Sequence, residues 1–253
     1  MGCRNFMRLA AAAVVIPAFA GFAFAGEIWR PAGVVELFTS QGCSSCPPAD
    51  AVFADIAKED DVVALAYHVD YWDYLGWRDT MGSADNTARQ KDYAKAFKAR
   101  SVYTPQAVIN GRTHVNGASR IAIEAALDDM QTTGDAPSVG ISVKRAGESV
   151  LIETEEGDGA EQNAHVLLVY FDPPKPVQIE RGENNSKTVT YYNPVTSVQT
   201  AGMWHGTAAR YEMPASEIAK KGEGGCAVLL QSVTDEGLPG PILGATVIRN
   251  ESQ

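Results

Sequence analysis

The chain is expected to fold as an α/β domain followed by a mostly antiparallel β-sandwich. Three observations carry that expectation. A β-rich run is followed by a helical pattern and then by the nearly continuous apolar run Val62 to Val69, the signature of a central strand buried on both faces. Asn110-Gly111, the strongest short hairpin signal, sits between two short strand patterns and is followed by a capped helix. Helical periodicity then stops at Thr132-Thr133-Gly134-Asp135-Ala136-Pro137, and alternating runs take over.

Taken in order, Val34 to Thr39 reads as the first strand and Thr39-Ser40-Gln41-Gly42 as a turn. Pro47 and Pro48 suit a first helical turn, where a missing N–H costs nothing, and Val52, Phe53, Ile56 and Ala57 recur at helical spacing. After Val69 comes an aromatic-rich loop, Asp70 to Met81. Asp85 to Arg100 follows as a helix with Ala88, Tyr93, Ala96 and Phe97 as its core stripe. Thr104-Pro105 opens the strand Gln106 to Ile109, Thr113 to Asn116 returns, and Ser119 caps a helix bearing Ile121, Ile123, Ala126, Leu127 and Met130. The order joins a parallel βαβ unit to an antiparallel ββα unit around a central mixed sheet. Beyond residue 134, Val139 to Lys144, Ser149 to Glu153, His165 to Phe171, Thr188 to Tyr192 and Ala227 to Val233 read as strands, with a short helix over 214–220.

The 253 residues and 45 % hydrophobic content suffice for a packed core. Arg4 and Arg8 precede the alanine-rich apolar run Leu9 to Phe19, and Ala20, Ala23 and Ala25 supply small residues for cleavage before Gly26 or Glu27. A membrane anchor is the competing reading, but the run is shorter than the roughly 20 residues of a span and Pro17 interrupts it. The expected organisation is a signal peptide over 1–25, the α/β domain over 26–134 and the β-sandwich over 135–253. Export to the periplasm or outside the cell follows, with no membrane span after cleavage. Losing Arg4 and Arg8 takes the net charge from −10 to −12, a balance that argues against nucleic-acid partners.

Cys3 leaves with the leader, so Cys43, Cys46 and Cys226 remain. Cys43-Ser44-Ser45-Cys46 lies between a strand and a helix, a spacing that lets two sulfurs bridge across one turn. Free N–H groups and the helix dipole would lower the Cys43 pKa and make it the nucleophile, with Cys46 resolving the mixed disulfide. A permanent bridge is the bland alternative, but a two-residue loop gains little from closure. A copper or zinc site is the third; Cys226 and scattered histidines offer no recognisable ligand spacing, and no metal ligand is assigned. Cys226 itself, opening Ala227 to Leu230, reads as a buried core thiol, with exchange against Cys43 as the sharper alternative.

Two further segments bear on the site. Glu36 lies on the strand leading into the cysteines, either as a proton relay or as a solvated strand-edge acid. The loop His68-Val69-Asp70-Tyr71-Trp72-Asp73-Tyr74-Leu75-Gly76-Trp77-Arg78-Asp79 begins where open α/β sheets carry their sites. His68, Asp70, Trp72, Asp73 and Trp77 are accordingly the candidate substrate-binding residues, against the plainer reading of an aromatic cap on the core.

The segment Val35-Glu36-Leu37-Phe38-Thr39-Ser40-Gln41-Gly42-Cys43-Ser44-Ser45-Cys46-Pro47-Pro48-Ala49-Asp50, the 68–77 stretch, Thr104-Pro105-Gln106 with Asn110-Gly111, Arg181-Gly182-Glu183-Asn184, Tyr192-Asn193 and Gly240-Pro241-Ile242-Leu243-Gly244-Ala245 together resemble the secreted, thioredoxin-like proteins catalogued as domain of unknown function 1223. The resemblance spans almost the whole mature chain. It implies a thioredoxin-like fold for the first domain, export, and a cis Thr104-Pro105 loop facing the cysteines, where the Thr104 backbone would align a substrate. It supplies no substrate. The sequence departs from thioredoxin in its Ser-Ser spacer and in lacking a tryptophan before Cys43, which leaves the direction of electron flow open. The leading expectation is an exported thiol–disulfide oxidoreductase acting on a protein or small-molecule thiol or disulfide without an organic cofactor. The alternative is a non-enzymatic periplasmic protein that binds a partner, a small ligand or copper.

Overall fold

The computed structural model of the protein describes residues 28–157 and 163–249, so the expected leader over 1–25 lies outside the described residues. Strand β1 (Gly33–Thr39) runs parallel to β2 (Val62–His68) and antiparallel to β3 (Gln106–Ile109), which pairs with β4 (Thr113–Asn116). The sheet order is β2-β1-β3-β4. Every residue of β1 and β2 is buried, which is why both read as nearly unbroken apolar runs. The β3–β4 hairpin turns over Asn110, Gly111 and Arg112; Asn110 and Gly111 both take positive φ (50° and 64°), and the Arg112 N–H donates back to the Ile109 carbonyl (2.9 Å).

Side-chain alternation sends β1 and β2 residues to two different cores. Val35, Leu37, Ala64 and Ala66 face helices α1 (Pro47–Ile56) and α3 (Arg120–Thr133), packing on Phe53, Ile56, Ile123, Leu127 and Met130. Val34, Phe38, Leu65 and Tyr67 face the opposite way, onto Leu167, Val169, Leu229 and Ala245 of a second sheet. That sheet has the order β10-β7-β12-β13, built from β7 (Ala164–Phe171), β10 (Val195–Trp204), β12 (Gly225–Val233) and β13 (Pro239–Arg249). Its far face, through Val166, Leu168, Cys226 and Val228, packs on a three-stranded sheet of β5 (Ile141–Ala146), β6 (Ser149–Thr154) and β11 (Ala209–Pro214). A hairpin of β8 (Lys175–Gln178) and β9 (Thr188–Tyr191) reaches back to α1, and α4 (Ala215–Lys221) closes one end. The protein is thus a mixed α/β assembly of several sheets, most of whose strands are antiparallel.

Local expectations fail where tertiary contacts decide. Helix α2 (Ala84–Ala96) buries Asn86, Thr87 and Gln90 beside Tyr93, whereas Ala88 is exposed. Its inner face is held by hydrogen bonds, among them Asn86 Nδ2 to the His68 carbonyl (3.0 Å) and Gln90 Nε2 to Gln106 Oε1 (2.8 Å). Ile121, expected in the core, is 81 % exposed at the start of α3. Among the described residues no helix is long and apolar enough to cross a membrane.

Candidate functional site

The site forms where β1 ends. Between Thr39 and α1 the chain turns tightly, with the Cys43 N–H donating to the Ser40 carbonyl (3.1 Å) and the Cys46 N–H to the Cys43 carbonyl (3.2 Å). Cys43 and Cys46 are joined as a disulfide at the start of α1, with prolines in the first helical turn as expected. Both sulfur-bearing residues are buried, while Ser44 and Ser45 between them are exposed.

The Thr104–Pro105 bond is cis and lies against this turn. Thr104 Oγ1 donates to Cys43 Sγ at 3.1 Å, and Ser45 Oγ lies 3.4 Å from the same sulfur. Trp72 Nε1 donates to Thr104 Oγ1 (2.8 Å), which occupies an acceptor position and leaves the hydroxyl proton for the sulfur. A side chain at Gly42 would press on the Cβ and backbone carbonyl of Trp72, both at 3.1 Å, so glycine there lets the Trp72 backbone approach the turn.

Asn184, from the segment between β8 and β9, clamps the same turn from the other half of the chain. Its Nδ2 donates to the carbonyls of Gln41 (2.9 Å) and Cys43 (2.8 Å). Gln41 in turn accepts from Trp77 Nε1 (2.9 Å) and donates its backbone N–H to Asp79 Oδ2 (2.8 Å).

Beneath the disulfide lies a buried polar cluster. Thr39 Oγ1 donates to Asp50 Oδ1 on α1 (2.7 Å), and His68 Nδ1 pairs with Asp79 Oδ2 (2.8 Å). The ring of Tyr191 meets His68 edge-on at 4.6 Å. Burial pushes Asp50 up to about 7, against the opposing influence of His68 and of the Thr39 hydroxyl. Burial alone would lower His68, but Asp79 and, more weakly, Asp50 raise it above its usual value. Asp79, despite burial, is held below the carboxylate range by His68 and by the amides of Gln41 and Met81.

The remaining candidates sit differently from the expectation. Glu36 is fully buried, so it is not a solvated strand-edge acid. It shares a sheet face with Val34 and Phe38, away from α1, and is gripped by Arg89 through Nε (2.9 Å) and Nη2 (2.7 Å) and by the Tyr93 hydroxyl. That alternation separates it from the cysteines. His68 is fully buried as the last residue of β2, so it offers nothing to a ligand at the surface. Asp70 accepts from Thr87 Oγ1 (2.6 Å) and Asp73 from the Asp79 N–H (3.0 Å), contacts that shape the loop itself. Trp72 and Trp77 are brought to the cysteine turn, each through its indole N–H. Cys226 is a free, fully buried thiol in the core between the second and third sheets, and burial pushes it up to about 12. Among the described residues no three His, Cys, Asp or Glu side chains converge on a metal-binding geometry.

Asp50, Asp79 and Asn184 escaped the sequence reading as site residues. Asp50 carried a signal: an acid four residues after Cys46 occupies the same helix face. Asn184 stands in the Arg181-Gly182-Glu183-Asn184 motif of the family resemblance, but nothing local ties it to Cys43, 141 residues away.

A family model described as a protein of unknown function, DUF1223, matches residues 34–231. An Agrobacterium tumefaciens protein solved by X-ray crystallography in a structural genomics programme is 45 % identical, with a TM-score of 0.80 over 88 % of this chain and 97 % of that one. HBP35 of Porphyromonas gingivalis is 12 % identical with a TM-score of 0.54, covering 89 % of this chain and 76 % of that one, a likeness of fold alone. No functionally curated protein matches the chain. With the family model covering most of its length, the chain belongs to the DUF1223 family.

Proposed function

We propose that the protein is an exported thiol–disulfide exchange protein whose first half, 26–134, is a thioredoxin-like domain and whose second half, 135–253, is a β-sandwich that braces it. One observation carries the reading: a Cys43–Cys46 disulfide at a helix start, faced by a cis Thr104–Pro105 bond with Thr104 Oγ1 at 3.1 Å from Cys43 Sγ. A purely structural bridge would need no hydroxyls aimed at its sulfur. The Thr104 hydroxyl, which donates to Cys43 Sγ, favours negative charge there and so makes Cys43 the better leaving group.

The protein as described is the oxidised form. A substrate thiolate bonds to Cys43 Sγ, the Cys43–Cys46 bond breaks, and its electron pair leaves on Cys46 Sγ, which takes up a proton. A second substrate thiol then attacks its own sulfur in the mixed disulfide and releases Cys43. The substrate dithiol is oxidised and the protein reduced; the reverse sequence oxidises the protein. Cys43 is the exchanging sulfur, Cys46 the resolving one, and the Thr104–Pro105 edge with Trp72 is where substrate aligns.

The test is a redox titration of the purified protein in glutathione buffers, read by alkylation and mass. Reversible appearance of two alkylatable thiols at Cys43 and Cys46, and mixed disulfides trapped on Cys43 in a Cys46→Ser variant, are expected. A pair that neither equilibrates with glutathione nor exchanges with model disulfides overturns the reading.

A further inference from the structure

Two buried polar atoms under the disulfide have no hydrogen-bond partner, Asp50 Oδ2 and His68 Nε2. They lie on one side of the sheet. Thr39 and His68 are register partners across the parallel pair β1–β2, so their side chains project to the same face, and the Thr39 hydroxyl shows which face by donating to Asp50 on α1. Each of the two groups feels the charge of the other. Unsatisfied polar atoms are rare in buried positions and call for a use.

Their place suggests the use. Asp50 stands four residues after Cys46, and its backbone N–H donates to the Cys46 carbonyl (3.0 Å), so the carboxyl and the thiol share one helix face. Asp79 Oδ2 joins the buried histidine to the cysteine turn, since it holds both His68 Nδ1 and the Gln41 N–H, each at 2.8 Å. The other acid near this end of β1, Glu36, is on the wrong face and saturated by Arg89.

Resting on the thiol–disulfide reading, the geometry points to Asp50 as the acid–base group of the Cys43–Cys46 centre, with Thr39, His68 and Asp79 as its positioning residues. When an incoming thiolate opens the disulfide, the electron pair stays on Cys46 Sγ. The Asp50 carboxyl proton passes to it, directly or through one water. The carboxylate left behind is balanced by His68, kept cationic by Asp79. In the reverse step the Asp50 carboxylate takes the Cys46 proton as that sulfur attacks the mixed disulfide. The ionisable groups facing Asp50 are His68 from β2, Asp79 from the loop after it, Tyr191 from β9 and Cys46 on its own helix. Burial keeps Tyr191 neutral throughout the working range, so His68 and Asp79 set the local charge.

The test is the rate of reduction by dithiothreitol from about pH 5 to 9, corrected for reductant thiolate, on the oxidised mature protein. General acid–base groups contribute about 10²–10⁴-fold, and a small thiol that lets solvent substitute places the expected loss for Asp50→Asn near a hundredfold at neutral pH. The inflection near pH 7 should vanish in Asp50→Asn, return in Asp50→Glu, and move to higher pH in His68→Gln, because the imidazolium lowers Asp50. A folded Asp50→Asn protein with the parental pH–rate profile overturns the assignment while leaving thiol exchange intact; a parent protein that is not reduced at all overturns thiol exchange instead. Should the variants fail to fold, redox-difference infrared spectra of the parent decide: a buried carboxyl C=O band that changes on reduction supports the relay, and an unchanged carboxyl region overturns it.

Discussion

Replacing Asp50 by Asn should make the oxidised protein more stable at alkaline pH, and the size of the effect follows from the site. Burial raises the Asp50 pKa from its ordinary 3.8 to about 7. A carboxyl whose folded pKa lies above its unfolded one binds its proton more tightly in the native state, so stability is intact below the unfolded pKa and falls as pH rises towards the folded one. Each unit is worth about 1.4 kcal/mol, which makes the full penalty about 4 kcal/mol above pH 7. Some of that is already incurred at pH 5. Between pH 5 and 8 the parent should therefore lose about 2.5 kcal/mol more than Asp50→Asn. His68 has the same sign, since its raised pKa gives stability that disappears as pH climbs through it, and the Asp50 carboxylate contributes to that raise. Asp79, lowered, acts only at acid pH, where its contribution is lost as pH falls through its folded pKa. Urea unfolding at pH 5 and 8, with unchanged m-values, reads the difference. Parallel pH dependence in the two proteins, to within about 0.5 kcal/mol, refutes the reasoning.

Glu36→Gln should cost about 3–5 kcal/mol, because the Arg89 charge is left buried without its partner, yet leave the dithiothreitol rate of the folded protein unchanged; urea unfolding with stopped-flow reduction checks both halves. Asn184→Ala removes the donor to two buried-turn carbonyls and should cost about 2 kcal/mol, a fall of about 4–8 °C in Tm for a chain of this size. Calorimetry measures it, and an unchanged melt would show that the clamp contributes nothing. Cys226 should resist alkylation in the native protein at pH 8 and react at once in denaturant, since its thiol is fully buried and pushed up to about 12; quick native labelling would contradict the core placement.

The first half of the chain was largely legible because its signals are local. A short β-rich run located β1 and a nearly continuous apolar one β2, Asn110-Gly111 located the β3–β4 turn, and the serine before α3 does cap it, accepting from the Ala122 N–H at 3.3 Å. The juxtaposition of Thr104 with Cys43 was legible too, from topology rather than from either residue alone. Strands β8, β10, β11 and β13 were not anticipated. β10 is exposed over most of its middle, and its Val-Thr-Ser-Val-Gln-Thr composition carries no clean alternation. The inner face of α2 was misread because Asn86, Thr87 and Gln90 are buried through hydrogen bonds that a hydrophobic pattern cannot register. For the site, the cysteines announce themselves by spacing and Thr104–Pro105 by its place at the start of a strand together with the family resemblance. Glu36 drew notice by nearness in sequence, but side-chain alternation decides which face a strand residue serves.

That alternation explains how one sheet supports two different uses of buried acid. Glu36 and Thr39 lie three residues apart on β1, so they project to opposite faces. On the Glu36 side, Arg89 from α2 links the carboxylate to Gln231 of β12 (2.9 Å), and Gln231 Nε2 donates to Tyr93 OH (2.7 Å) and to the Gly240 carbonyl (2.9 Å). These bonds make Glu36 the mortar between the first sheet and the second. On the Thr39 side, Asp50 accepts from a neutral hydroxyl and feels the charge of His68, whose Nε2 has no hydrogen-bond partner. Burial outweighs one hydroxyl and an imidazole shared with Asp79, so the Asp50 carboxyl is pushed up to about 7 and can exchange its proton near neutral pH. Two carboxylates within one strand end are thereby given different tasks by their surroundings, the one cementing the halves and the other left to answer the charge state of the cysteines. A chain that buried both acids against arginine would be firmer, but it would leave Cys46 with no proton source beneath it.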